Sequence, residues 1–277
     1  MMKKQIWGFA ATVALAAMAA VPASAHRQWM LPSSTVLSGD DVWVTVDAAV
    51  SNDLFYFEHQ PLRLDAVHAW APDGSDVAIE NKATGRYRST FDVHLTQKGT
   101  YRIASVSDSL MGSYDLNGKT ERLPRGTTTA NLAEKLPAGA TNVRTAEANN
   151  RNEIFVTVGE PTTTLFKPTG KGIEMVPVTH PNDLFAGEAA TFQFLLDGKP
   201  AADLAVTVIP GGIRYRDQLG QIDLKTDVEG KVAVNWSEPG MYWMNVTTPH
   251  AERQAGDAPP PVARRASYVT TLEVMAP

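Results

Sequence analysis

Val42-Trp43-Val44-Thr45-Val46-Asp47-Ala48 alternates apolar and polar side chains. That period lays every second residue on one face of an extended strand. Phe91-Asp92-Val93-His94-Leu95 repeats the pattern, and residues 100–106, after the Gln97-Lys98-Gly99 turn, are expected to complete a hairpin. Residues 154–158 close this first region. Downstream, residues 190–196, 204–209, 231–236, 241–246 and 268–274 read as further strands. Asp197-Gly198-Lys199-Pro200 and Glu238-Pro239-Gly240 are turns between them. Short strands with turn signals every ~8–12 residues predict sandwiches rather than βαβ units. The chain is therefore expected to be all-β, with two mainly antiparallel β-sandwich domains.

The start reads differently. Lys3 and Lys4 precede an uncharged apolar run from Trp7 to Ala20, and Ala23-Ser24-Ala25 offers a small-x-small cleavage site. This is the pattern of a cleaved secretory signal over 1–25, too short to span a bilayer comfortably. No later stretch is apolar enough to cross a membrane, so the expected product is an exported, periplasmic protein that spans no membrane. A first sandwich is expected over 26–160, interrupted by a polar insertion at 107–152 rich in Gly, Thr and Asn. Residues 129–136 are its only helical signal, and an insertion of this length is read as a lid or a mobile loop. Residues 161–169 are expected to link to a second sandwich at 170–277, with a Pro-rich loop at 257–261 before the last strand.

Composition removes several classes of function. The net charge is −5, and losing Lys3 and Lys4 takes it to −7, which argues against nucleic acid. There is no cysteine, so thiolate metal sites, cysteine nucleophiles and iron–sulfur clusters are excluded. Gly112-Ser113-Tyr114 lacks the context of a hydrolase nucleophile elbow, and no phosphate or dinucleotide loop is present. Nothing in the sequence asks for a catalytic site.

Histidine carries the remaining signal, because imidazole is the ligand a divalent transition metal favours once thiolate is absent. Cleavage after Ala25 makes His26 the first residue, and its α-amine and Nδ1 can then chelate one ion. His59 ends Ser51-Asn52-Asp53-Leu54-Phe55-Tyr56-Phe57-Glu58-His59, whose three successive aromatics need a local bend. Asp92 and His94 share a strand face, so that both ligate or the carboxylate orients the imidazole. Each has a plainer explanation: an idle terminus, a surface strand end, a solvated polar face. His68 is expected to be packed or at the surface, and His180 and His250 to lie in solvated turns.

Two stretches resemble a known family. Ala25-His26-Arg27-Gln28-Trp29-Met30-Leu31-Pro32 looks like its mature start, and residues 51–59 like its most recognisable internal stretch. Arg88-Ser89-Thr90-Phe91-Asp92 and Gly99-Thr100-Tyr101-Arg102 also fit. The family is domain of unknown function 4198, often labelled a periplasmic component of cobalt or nickel transport. The resemblance implies an exported all-β protein tied to transition-metal uptake. It points to His26 and His59, and less firmly to Asp92 and His94. The second half also resembles a transthyretin-like or carboxypeptidase-regulatory sandwich, through Thr226-Asp227-Val228-Glu229-Gly230 and the Glu238-Pro239-Gly240 turn. His26 alone matches the chelating terminal histidine of periplasmic copper proteins and lytic polysaccharide monooxygenases.

Three readings follow. The leading one is a binding protein in which His26 joins His59 or His94, the latter with Asp92 beside it, to hold Ni, Co or Cu and hand it to a membrane metal transporter, with no enzymatic activity. The others are a copper redox enzyme with a histidine brace and a structural module whose histidines are incidental. Metal identity does not follow from these ligand types, since copper outcompetes nickel and cobalt at almost any nitrogen–oxygen site.

Overall fold

Every second residue of Val42–Ser51 turns inward at first, as its alternation demands: Val42, Val44, Val46 and Ala48 are buried, while Trp43 and Thr45 face out. The computed structural model describes residues 26–249 and 264–277. The expected signal at 1–25, His250 and the loop 257–261 lie outside the described residues. In chain order the principal strands are β1 (Arg27–Pro32), β2 (Val42–Ser51), β3 (Val67–Trp70), β4 (Ser89–Leu95), β5 (Gly99–Leu116) and β6 (Thr141–Val158). The second half adds β7 (Ile173–Pro177), β8 (Ala189–Leu196), β9 (Ala205–Pro210), β10 (Lys231–Asn235), β11 (Gly240–Thr247) and β12 (Arg265–Val274). The fold is all-β. Among the described residues no helix is long and apolar enough to cross a membrane.

These strands form three sheets. The first runs β1-β2-β4 and ends on the exposed edge strand Glu80–Thr84. The second is ten-stranded and crosses the whole molecule, with β9-β11-β12-β6-β5-β3 as its spine. The third runs β7-β8 with β10 paired to β8. Nearly all pairing is antiparallel. The main exception is β6 with β12, parallel from Ala148 opposite Arg265 to Glu153 opposite Thr270.

The long sheet is a shared middle layer. On β6, Ile154 and Val156 join the core beneath the first sheet, while Phe155 between them joins the core beneath the third. One sheet covers one face and the other the opposite face, as a period of two requires. The first core packs Val44, Val46, Phe91 and Val93 against Val67, Ile103 and Ile154. The second packs Phe192, Phe194 and Trp236 against Val206, Met244 and Tyr268. A third cluster joins the halves: Trp29, Ala49 and Leu54 meet Ile209, Trp243 and Val269. Each large side chain so buried contributes about 1.5–3 kcal/mol. Two polar ties reinforce the junction. Trp243 Nε1 donates to the Gln28 carbonyl at 2.9 Å, and the Glu273 carboxylate accepts from the backbone and hydroxyl of Thr35 at 3.0 and 2.6 Å.

Two segments differ from their sequence reading. The insertion at 107–152 is no loop: its two ends are the outer halves of β5 and β6, which pair from Gly99 opposite Val158 out to Asp115 opposite Thr141. A short helix, α1 (Leu132–Lys135), stands between them, inside the predicted helical turn. The ribbon runs beyond the core, so most of its residues are polar and no sustained alternation marks it. The expected linker at 161–169 is packed rather than extended, with Leu165 and Phe166 buried and Phe166 part of the second core.

Candidate metal centre

His26 stands one residue before β1, and β1 pairs with β2 so that Arg27 lies opposite Ser51. The chain leaving β2 at Ser51 therefore passes beside His26 and returns to pair Gln60 with Val50. That return places the His59 ring on the His26 ring. Their centroids are 3.7 Å apart and their planes 5° from parallel. Both residues are exposed.

The loop between them is held from several directions. Ser51 Oγ accepts from Trp29 Nε1 at 2.8 Å and donates to the Asp53 carbonyl at 2.6 Å. Glu58 folds back, its Oε1 accepting the N–H groups of Asn52 and Asp53, each at 2.8 Å. Arg27 reaches the Asn52 carbonyl at 2.6 Å. The bend demanded by three successive aromatics falls at Phe55, whose φ of 63° is rare for a bulky side chain. Phe55 and Phe57 then flank Trp29 at 5.5 and 5.6 Å, while Tyr56 turns away under the Arg214 guanidinium at 4.4 Å. Arg214 also pairs with Asp53 at 3.4 Å. Arg214 belongs to the second half of the chain. No local signal links it to this loop, and the sequence reading missed it.

Asp92 and His94 lie elsewhere. On β4 they sit opposite Thr45 and Trp43 of β2, about eight residues from the His26 end. At ~3.3 Å per residue that is roughly 26 Å, too far to share an ion with His26. The four residues therefore do not form one cluster: His26 and His59 stand together, and Asp92 and His94 are engaged locally. Asp92 accepts from Thr45 Oγ1 at 2.6 Å and from Asn81 Nδ2 at 2.8 Å. These hydrogen bonds, Thr45 first, hold its carboxyl below the usual carboxylate range. His94 stacks on Trp43 at 4.2 Å and 4°, and its Nε2 lies 2.7 Å from Asp41 Oδ1. Asp41, not Asp92, is the carboxylate beside this imidazole.

A family model for "Domain of unknown function (DUF4198)" matches residues 23–250, most of the chain. The chain belongs to the DUF4198 family. No curated protein matches the sequence. Among solved structures, the chain is similar to the D0–D1 domain of intimin at 13% identity, covering 89% of this chain and 97% of that one, with a TM-score of 0.21. It is also similar to Escherichia coli alpha-2-macroglobulin activated by porcine elastase, at 10% identity over 91% of this chain and 31% of that one, again with a TM-score of 0.21. Such low scores carry no functional meaning. The DUF4198 match includes both His26 and His59 and stops short of β12.

The remaining histidines of this DUF4198 chain divide as follows. His68 is exposed, tilted against Trp70 at 5.9 Å. His180, read as a solvated turn residue, is instead half-buried where the halves meet. Its Nδ1 accepts from the Asn182 N–H at 3.1 Å, and its Nε2 lies 3.0 Å from Thr100 Oγ1 and 3.2 Å from the Thr162 carbonyl. Burial lowers its pKa from the ordinary histidine value.

The His26–His59 pair supplies two imidazoles. Among the described residues no group of three or more His, Asp or Glu side chains is disposed to hold a metal. A bound ion lies near the plane of each ring that ligates it. Parallel rings 3.7 Å apart therefore present their lone pairs side by side, and joint ligation needs one ring to rotate. Both are exposed and free to do so. Imidazole is a donor that suits Ni²⁺, Co²⁺ or Cu²⁺.

Proposed function

We propose that this chain is an exported transition-metal binding protein of the periplasm. In this reading it captures a divalent ion, nickel, cobalt or copper, passes it to a membrane transporter, and catalyses no reaction of its own. The observation that supports the reading is the approach of His59 to His26, from 33 residues along the chain, at the residue where a cleaved chain would begin. Cleavage after Ala25 adds the α-amine as a third donor beside two imidazoles. Exposure of the pair suits reversible capture better than permanent retention.

The test is calorimetric titration of Ni²⁺, Co²⁺ and Cu²⁺ into protein beginning at His26. Comparison proteins carry one extra residue before His26, His59→Ala or His94→Ala. The first two should bind about tenfold more weakly or worse, a loss of ~1.4 kcal/mol or more. His94→Ala should bind like the native protein. Affinity should fall as pH drops, because protons compete with the ion for imidazole and amine nitrogens. Equal binding by the extended protein and His59→Ala would end the proposal.

A further inference from the structure

The long sheet is left uncovered where the third sheet stops, and a cleft opens there on the face opposite the first core. Its volume is about 360 Å³. β3 supplies Trp70, β5 supplies Arg102 and Val106, β6 supplies Arg151, and the bend leading into β7 supplies the exposed Lys171. None of these residues takes part in the histidine pair, which sits on the sheet covering the other face.

Among the described residues, two cations of this cleft have no ion-pair partner. Arg102 is pinned with its guanidinium over the Trp70 ring at 4.6 Å and one arm donating to the Leu165 carbonyl at 3.1 Å. Its Nε is buried without an acceptor. Neither Arg102 nor Lys171 forms an ion pair among the described residues, although the chain carries a net charge of −5. Arg151 differs: it is 7% exposed and paired with Glu153 and Glu174 at 3.4 and 3.3 Å, yet its Nε also lacks an acceptor. Asp108 lines the same cleft and keeps its charge, with one oxygen accepting from Asn149 Nδ2 at 2.7 Å. Both Nε atoms are buried away from the cleft's open space, so an incoming anion would be met by the two cations that have no ion pair, Arg102 and Lys171. Trp70 and Val106 add an apolar wall. Guanidinium and ammonium groups bind carboxylates through short charge-assisted hydrogen bonds, and the wall takes a flat or aliphatic body.

We propose that this cleft is a binding site for a small organic carboxylate, held by Arg102 and Lys171 with its apolar body against Trp70 and Val106. The site needs no metal and stands or falls apart from the histidine pair. The test uses the whole protein, freed of metal, titrated at constant ionic strength with acetate, succinate and benzoate. Benzyl alcohol and chloride serve as controls. Lys171→Gln changes an exposed side chain, and Arg102→Lys keeps the charge while removing the planar fork. Thermal melts of both variants verify the fold. At least one carboxylate, benzoate foremost, should bind saturably at one site, with each variant weakening it about tenfold. Benzyl alcohol and chloride should fail to compete. The proposal is overturned if none of the three acids binds, if both folded variants keep native affinity, or if benzyl alcohol or chloride competes as well as benzoate.

Discussion

The two ends of β2 carry similar pairs with opposite chemical states. At one end His59 lies flat on His26, and at the other His94 lies flat on Trp43, both within a few degrees of parallel. His94 already meets Asp41, and both oxygens of its neighbour Asp92 are taken by Thr45 and Asn81. Among the described residues no hydrogen bond engages the ring of His26 or His59. Stacking alone does not separate a ligand from a structural histidine; the lone pairs do. An imidazole held by a carboxylate, as His94 is through Nε2, must give up that partner or turn to its other nitrogen before it takes an ion, and an open pair gives up nothing.

The sharpest way to break this comparison is to remove what holds the open end in place. Trp29 is fully buried, anchors the junction between the halves, and supports both Phe55 and Phe57. Trp29→Ala should destabilise the protein by about 3–5 kcal/mol, read from denaturant unfolding, and should abolish metal binding near the new midpoint. A smaller effect comes from a double-mutant cycle on affinity. His26→Ala and His59→Ala should be strongly non-additive, with a coupling of about 1 kcal/mol or more, because both act on one ion. His59→Ala and His94→Ala should simply add. Additivity of the first pair would mean that the two rings bind separately.

Arg214 tests whether the second half shapes the open end. Its ion pair with Asp53 is largely solvated, so Arg214→Ala should cost under about 1 kcal/mol of stability. Metal affinity should nonetheless fall a few-fold as the 51–59 loop loosens, and an unchanged affinity would show that the loop needs no such support. The least effect concerns His180, both of whose ring nitrogens are engaged. Burial lowers its folded pKa, so the unfolded chain binds the extra proton first. Stability should be flat above about pH 6.5 and decline as pH falls below it, toward the lowered folded value. His180→Gln should flatten that decline in melts taken across the range, while His94→Ala should leave it in place.

Much of this fold was legible because its signals are local. Alternation in 42–48 and 91–95 reports a buried face directly. The Thr226–Gly230 turn announces itself through Asp227, whose carboxylate accepts the N–H groups of Glu229 and Lys231. Gly230 is required there, since a Cβ would come within 2.4 Å of the Phe194 carbonyl. The outer ribbon was illegible because Asp108 and Gly112 interrupt the face that Leu110, Tyr114 and Leu116 share, leaving too short an apolar repeat to count. Of the site, His26 could be matched from sequence with either His59 or His94, and the β1–β2 register decides for His59. Asp92 looked like the partner of His94 by spacing. Asp41 took that place from a turn 53 residues away, where periodicity says nothing.

The parallel seam between β6 and β12 also sets an order of events. A chain made from its amino end completes β6 more than a hundred residues before β12 exists to cover it. Until then the stretch Ala148–Glu153 has an open edge, the kind of surface that templates pairing with other chains. Contacts between such distant segments close late and slow folding. The first half is therefore obliged to wait, with a half-finished sheet, for the last ten-residue strand to be delivered. A chain cut short before Arg265 would keep that edge permanently and should aggregate, even with all the residues of its first core and its histidine pair intact.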